Sequence, residues 1–362
     1  MQFAWAMVEP KQLQRRDLIL PKRPRDGWVR VEVAGCGVCH TDLGYLYGGI
    51  PTKKELPLVL GHEISGVVRA IGEGAEGWLN RRVIVPAVIP CGECVHCRGG
   101  RRTSCRAAIM PGNDFDGGFA SAVDVPARFL CDADAGLWPN GTIGQAKLEL
   151  WELAVVADAV ATPLQAVRRA GLIKGELAIF IGAGGVGTFG LQIARAFGAI
   201  PLAVDVSEAR RHRAKLFGAL AALDGGAPTK ELKASVRAFA RGQQLPERGW
   251  RVFETSGTTK GQELAFDLLS PAGSLSVVGY TKERASVPLS KLMALDATAY
   301  GNWGADPDLY PEALGLVTSG KVRIHGLVRR FPLDEAAAVL EAAHAGEIAE
   351  RPVLVPPSME RT

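Results

Sequence analysis

The sequence has no dominant charge, no internal repeat, no low-complexity linker and no leader-like N-terminus. Lysine and arginine number 42 against 38 aspartates and glutamates, a formal charge of +4. The basic residues lie in small scattered clusters, which excludes an acidic tail and a strongly basic nucleic-acid arm and suits an anionic small ligand. The opening MQFAWAMVEPKQLQRRD lacks a basic lead, an apolar stretch and a small-residue cleavage site, so a cytoplasmic protein is expected. One uncharged run, 177–194, just reaches the length of a membrane span, but Gly182, Gly184, Gly185, Gly187 and Gly190 within it point to a turn. No membrane or nucleic-acid partner is therefore expected. The cysteines number 7, and an odd count without a secretory leader argues for metal or catalytic roles over a disulfide framework.

What is present points to an α/β protein. A length of 362 residues predicts two domains, and 47% hydrophobic residues suffice for their cores. The first half is rich in short Val/Ile strands bounded by glycine or proline, at 28–34, 64–71 and 82–86, as in a compact barrel. Beyond about residue 150, apolar strands at 177–181, 201–206, 250–254 and 274–278 alternate with helical patterns, which predicts a doubly wound parallel sheet. The texture changes again near 300, and the chain closes on a strand-like 351–356. The expected division is a catalytic domain over 1–155, a dinucleotide-binding domain over 156–300, and a C-terminal segment over 301–362.

The glycine cluster has a specific reading. Gly182, Gly184 and Gly187 follow the apolar strand LAIFI and open a helix that carries Val186, Phe189 or Gly190, Ile193 and Phe197 on one side. Such glycines permit a tight turn, close approach of a pyrophosphate, and close helix–strand packing, with Gly185 and Val186 in the first turn offering free N–H groups. Asp205 ends the next strand, where a carboxylate accepts the hydroxyls of an adenosine ribose. It repels a 2′-phosphate and so favours NAD over NADP, although Arg210 and Arg211 close behind could pair with that phosphate instead.

Two groups of residues have the chemistry of metal ligands. Cys91, Cys94, Cys97 and Cys105 form C-x2-C-x2-C-x7-C within 91–105, suited to wrapping a tetrahedral Zn2+ as a closed structural site. The spacing matches no common iron–sulfur run. Cys39 in GVCHTD, His62 in GHE and an acid further on have the composition of a catalytic zinc site with an open position.

GVCHTD at 37–42, GHEISG at 61–66, the cysteine lobe, GGFA at 117–120 and GAGGVG at 182–187 together resemble the zinc-dependent branch of the medium-chain dehydrogenase/reductase family, the alcohol dehydrogenases. The resemblance spans essentially the whole chain. It implies a GroES-like β-barrel catalytic domain, a Rossmann domain, an active site between them, two zinc ions, a dinucleotide cofactor and a homo-oligomer, a dimer or tetramer. It assigns Cys39 and His62 as zinc ligands, Thr41 as the proton-relay hydroxyl and His40 as a contact to the cofactor pyrophosphate. The third family ligand is a cysteine, and Asp158 stands at its position. Carboxylate oxygen suits zinc, and an acid in so apolar a run needs a partner. The competing arrangement has Glu63 complete the set with Asp158 behind it. Asp42 is expected to orient His62. Gly44 replaces the histidine that often ends the relay.

Two rival classes remain at this point. Arg98, Arg101, Arg102 and Arg106 around the cysteine lobe would suit a nucleic-acid module, against which the low net charge and the dinucleotide pattern speak. A zinc-free quinone reductase of the same family would not need Cys39, His62 or the lobe. Stretches at 83–94, 110–121, 155–163 and 292–304 further resemble the part of the family that oxidises a ring alcohol carried on an acyl-CoA, which makes an acyl-CoA the expected substrate.

Overall fold

The computed structural model describes residues 2–134 and 141–357. They fall into two units. One comprises the chain up to Ala161, Gly304–Gly320 and the chain from Ile324; the other is Thr162–Trp303 with Lys321–Arg323. The chain thus enters the second unit several residues later than its composition suggests. The reason is the 3-10 helix Leu150–Ala157, which is buried along nearly its whole length within the first unit. Ser65 Oγ donates to its Leu150 carbonyl at 2.7 Å, and Tyr310 Oη donates to its Ala157 carbonyl at 2.5 Å.

The first unit opens with the hairpin β1 (Phe3–Glu9) and β2 (Gln12–Asp17). Strand β3 (Trp28–Gly37) follows, then β4 (Leu58–Val59), which pairs with β1, and β5 (Glu63–Ile71), β6 (Arg82–Val85), β7 (Ala122–Pro126) and β8 (Cys131–Asp132). β3 lies antiparallel to both β5 and β7, β6 pairs with β5, and β8 with β6. In β3 the sequence WVRVEV alternates as a half-buried strand should: Val29, Val31 and Val33 are fully buried between half-exposed neighbours. From Ala34 onward every β3 residue is buried, because β3 there runs into the covered end of the unit where Cys39 follows.

The second unit carries β9 (Leu177–Ile181), β10 (Ile200–Asp205), β11 (Ala221–Asp224), β12 (Arg251–Glu254), β13 (Ser274–Val277) and β14 (Thr298–Gly301). Their spatial order is β11-β10-β9-β12-β13-β14, all parallel, so strand order reverses between β9 and β12. In a doubly wound sheet, ligands bind beyond the carboxyl ends of the strands at such a switch point. The uncharged run 177–194 divides into β9, the glycine turn and the helix Gly185–Ala196. Among the described residues no single helix is long and apolar enough to cross a membrane.

The glycine helix is covered more widely than a one-sided apolar stripe predicts. Gly187 through Ala194 are all buried, while Val186 and Phe197 are only half-buried. Part of the extra cover is Arg323, whose backbone N–H and C=O pair with the amide of Gln192 at 2.8 and 3.2 Å.

The chain then returns to the first unit with β15 (Val328–Pro332) and β16 (Arg351–Val355). β16 is parallel to β15 and antiparallel to the end of β3, with Val353 opposite Gly37. This return brings the C-terminal Arg351 beside β5.

Candidate active site

The helix His40–Leu46 positions the first donor. Cys39 is its N-cap residue, and its backbone N–H donates to Asp42 Oδ2 at 2.9 Å. The other Asp42 oxygen accepts from Gly61 N at 3.1 Å and stands 3.2 Å from His62 Nδ1. A single buried carboxylate therefore ties the Cys39 turn to the start of β5 and leaves His62 Nε2 facing the cluster. Gly61 has φ +97°, and a β-carbon there would lie 2.6 Å from the Phe119 ring, so this turn requires glycine.

Asp158 follows the buried 3-10 helix. Its Oδ2 is 3.6 Å from Cys39 Sγ and 3.7 Å from His62 Nε2. Tyr310 Oη also accepts from Ala87 N at 3.0 Å, so one buried phenol holds the segment immediately before Asp158. Burial alone would disfavour a charged His62, yet Asp42 and Asp158 hold its pKa well above the ordinary imidazole range.

Glu63 lies in the same cluster, but it is otherwise engaged. Arg351 donates from Nε to Oε2 at 2.7 Å and from Nη2 to Oε1 at 2.5 Å, and Ala159 N donates to Oε1 at 3.1 Å. Burial pushes the Glu63 pKa up, and the guanidinium opposes that shift. A β-carbon at Gly37 would stand 2.1 Å from Glu63 Oε2, so glycine there makes room for the pair.

The cysteine lobe is a second cluster. Its Sγ–Sγ distances are 3.8 Å for Cys91–Cys97, 3.5 Å for Cys94–Cys97, 3.8 Å for Cys94–Cys105 and 3.5 Å for Cys91–Cys105. Four thiolates around one tetrahedral zinc would stand about 3.7–3.8 Å apart, and mixed S, N and O donors about 3.4–3.6 Å apart. Both clusters fit a zinc ion by donor chemistry and by spacing. Among the lobe's arginines, Arg102 is held by Asp306 at 3.1 Å and Asp308 at 2.5 Å, so it is not available as part of an open basic face.

Thr41 Oγ1 lies 3.8 Å from Cys39 Sγ, half-buried, whereas His40 is exposed on the first turn of its helix. At Gly44, a β-carbon would stand 2.8 Å from Ile50 Cδ1, so Ile50 takes the space a histidine would need.

In the second unit, Gly182 has φ +93° and would bring a β-carbon within 2.7 Å of Ser256 Cα; at Gly187 it would meet the Gly182 carbonyl at 1.9 Å. Gly184 caps the helix that Gly185 and Val186 begin. Asp205 is buried beside this turn, its Oδ2 accepting from Ala183 N at 2.7 Å and its Oδ1 from Ser207 N at 2.8 Å. Arg351 and Tyr310 escaped sequence reasoning. An arginine opening the apolar run RPVLV was a usable signal for the first, and nothing local marks the second.

Residues 25–135 match the alcohol dehydrogenase GroES-like domain, and residues 185–319 the zinc-binding dehydrogenase domain. The chain is 30% identical to an alcohol dehydrogenase of Geobacillus stearothermophilus over 348 residues, 95% of this chain and 96% of that relative. It is 27% identical to the L-galactonate-5-dehydrogenase of Escherichia coli, with 92% of each chain covered. The crystal structure of the alcohol dehydrogenase from the hyperthermophilic archaeon Aeropyrum pernix superposes with a TM-score of 0.84 at 29% identity, covering 98% of this chain and 100% of that one. The chain belongs to the zinc-dependent medium-chain alcohol dehydrogenases. It is an oxidoreductase, built from a GroES-like unit and a doubly wound Rossmann unit.

Proposed function

We propose that this enzyme oxidises 6-hydroxycyclohex-1-ene-1-carbonyl-CoA to its 6-oxo counterpart with NAD+, a step of anaerobic benzoyl-CoA breakdown. The observation that carries the substrate is the resemblance of four stretches to the dehydrogenase of that reaction: VIVPAVIPCGEC (83–94), MPGNDFDGGFAS (110–121), VVADAVATP (155–163) and LMALDATAYGNWG (292–304). Asp158 in place of the family's cysteine belongs to the same resemblance.

Cys39, His62 and Asp158 hold the catalytic metal, and Cys91, Cys94, Cys97 and Cys105 hold the structural one. Glu63, with both oxygens engaged, stands behind Asp158 and fixes the charge balance of the site. When bound, zinc acts as a Lewis acid that lowers the alcohol pKa and polarises the product carbonyl, and the nicotinamide accepts the hydride. Thr41 receives the hydroxyl proton at Oγ1 and passes it toward solvent by a route that does not use residue 44. Asp42 keeps His62 turned with Nε2 toward the metal. The N-terminus of the helix Gly185–Ala196 would hold the pyrophosphate and Asp205 would accept the adenosine ribose hydroxyls, while the family resemblance gives His40 a role toward the same cofactor. Oxidation places the new carbonyl in conjugation with the ring alkene, which favours the reaction, while the CoA tail supplies binding energy remote from the reacting carbon.

The enzyme works as a cytoplasmic homo-oligomer, a dimer or tetramer. A supporting feature is β14, the outermost strand of the parallel sheet, with no strand beyond it among the described residues. The test of the substrate is kcat/KM for the cyclic hydroxyenoyl-CoA, its free acid and benzyl alcohol. A large advantage for the thioester is expected; equal values would leave an alcohol dehydrogenase for a small or aromatic alcohol.

A further inference from the structure

Asp205 does not hold its place alone. The loop that carries it out of β10 exposes Val206 and reaches Ser207, whose Oγ accepts from Arg210 N at 3.4 Å and caps the helix Glu208–Leu216. From the first turns of that helix, Arg211 folds back under the loop. Its Nη1 lies 2.8 Å from the Asp205 carbonyl, 2.9 Å from the Val206 carbonyl and 3.1 Å from Asp224 Oδ1. Asp224 ends β11, directly opposite Asp205 in the parallel register, and its Oδ1 also accepts from Gly226 N at 2.9 Å. One guanidinium thus joins the carboxyl ends of two neighbouring strands, adding a side-chain donor to the Asp205 carbonyl, which also accepts from Gly225 N at 3.1 Å, and one to the Val206 carbonyl.

We propose that Arg211 is the positioning residue of the adenosine-ribose site: it holds the loop that carries Asp205, and so sets the choice of dinucleotide from behind, without touching the ligand. This rests on the reading of Asp205 as the ribose acceptor. The buried Asp205 carboxylate takes one backbone N–H on each oxygen, and both donors, Ala183 and Ser207, sit on turns that must keep their spacing for the carboxylate to hold its place. Arg211 pins the Ser207 side of that spacing. Its Nη1 is directed at the chain's own carbonyls and at Asp224. Arg210, exposed at the helix start, is the remaining cation of the pair. The arrangement favours the unphosphorylated ribose through the Asp205 carboxylate, whose loop Arg211 Nη1 holds.

The test compares wild type with Arg211→Met, which keeps the stem and removes the donors, and with Asp224→Asn, which weakens one of the three contacts. ADP-ribose binding is measured by calorimetry, alongside steady-state kinetics with NAD, NADP and nicotinamide mononucleotide. Arg211→Met is expected to weaken ADP-ribose binding and raise the NAD KM by about 10-fold, with kcat and the use of nicotinamide mononucleotide unchanged. Asp224→Asn should move the same quantities by about 2- to 3-fold. ADP-ribose affinity within twofold of wild type in both variants overturns the proposal. So does a loss of NADP use in Arg211→Met from an enzyme that had preferred NADP, since Arg211 would then hold the phosphate itself. Asp205→Ser separates the two readings. If it weakens ADP-ribose while Arg211→Met does not, only the positioning role fails; if neither does, the ribose role of Asp205 fails first.

Discussion

The cysteine lobe gathers its four donors from Cys91 to Cys105, one loop with a small apolar support of Val88 and Ala108. The other cluster joins Cys39 to Asp158 across 119 positions, with His62 between them. The lobe is tied down mainly at its edges, by the Ile89–Ile109 bridge, by Arg128 on the Pro90 carbonyl and by Arg102 on Asp306 and Asp308. In the mixed site, each donor has its own support: Asp42 for Cys39 and His62, Tyr310 for the chain before Asp158, and the Glu63–Arg351 pair beside them. Locally assembled sites depend on the ion for their shape, whereas a site built by the tertiary fold survives without it.

The sharpest way to break this contrast is Cys39→Ser. It should lower activity by at least about 1,000-fold and leave one zinc per chain with unchanged circular dichroism. Chelation of the wild type should likewise remove activity and one of two zinc ions before secondary structure is lost; metal analysis giving one zinc or none in the untreated enzyme would sink the two-site account. Next in size is Arg351→Met, which leaves Glu63 buried without its cation. A loss of about 3–5 kcal/mol in urea unfolding is expected, with the lobe zinc retained below the transition. An unchanged midpoint would show that the pair does not support the mixed site.

Asp158→Asn is the milder probe of the same region. The fold should persist while zinc affinity at the mixed site drops by about 10-fold or more. Full occupancy with normal turnover would transfer the ligand role to Glu63. The smallest effect belongs to the second unit: Asp205→Ser should bring the NAD and NADP values of kcat/KM closer by about 10-fold, mainly through KM. A wild type that already prefers NADP would refute the assignment of Asp205.

Legibility in the sequence followed the distance over which each feature is encoded. The strand LAIFI, its glycine turn and Asp205 lie within 177–205, and the structure places them as β9, the turn and the end of β10. The four cysteines were equally plain. Cys39 and His62 were recognisable only through the motifs around them, and Asp158 only through alignment with a family position. The cover of the glycine helix by Arg323 and the retention of Leu150–Ala157 in the first unit left no local trace, because both depend on chain that returns from elsewhere.

Residue order alone therefore determined what short stretches can specify: alternating strands, the glycine turn, and a set of thiols close enough to share one ion. The tertiary structure decided how the two acids beside Cys39 and His62 are engaged. Glu63 is adjacent to His62 in sequence, yet the return of β16 brings Arg351 onto its carboxylate, and an ion pair so engaged is a poor free donor. Asp158, far along the chain, is left with its Oδ2 facing Cys39 and His62. Which cation a buried carboxylate meets is set by packing, and packing is a property of the folded chain.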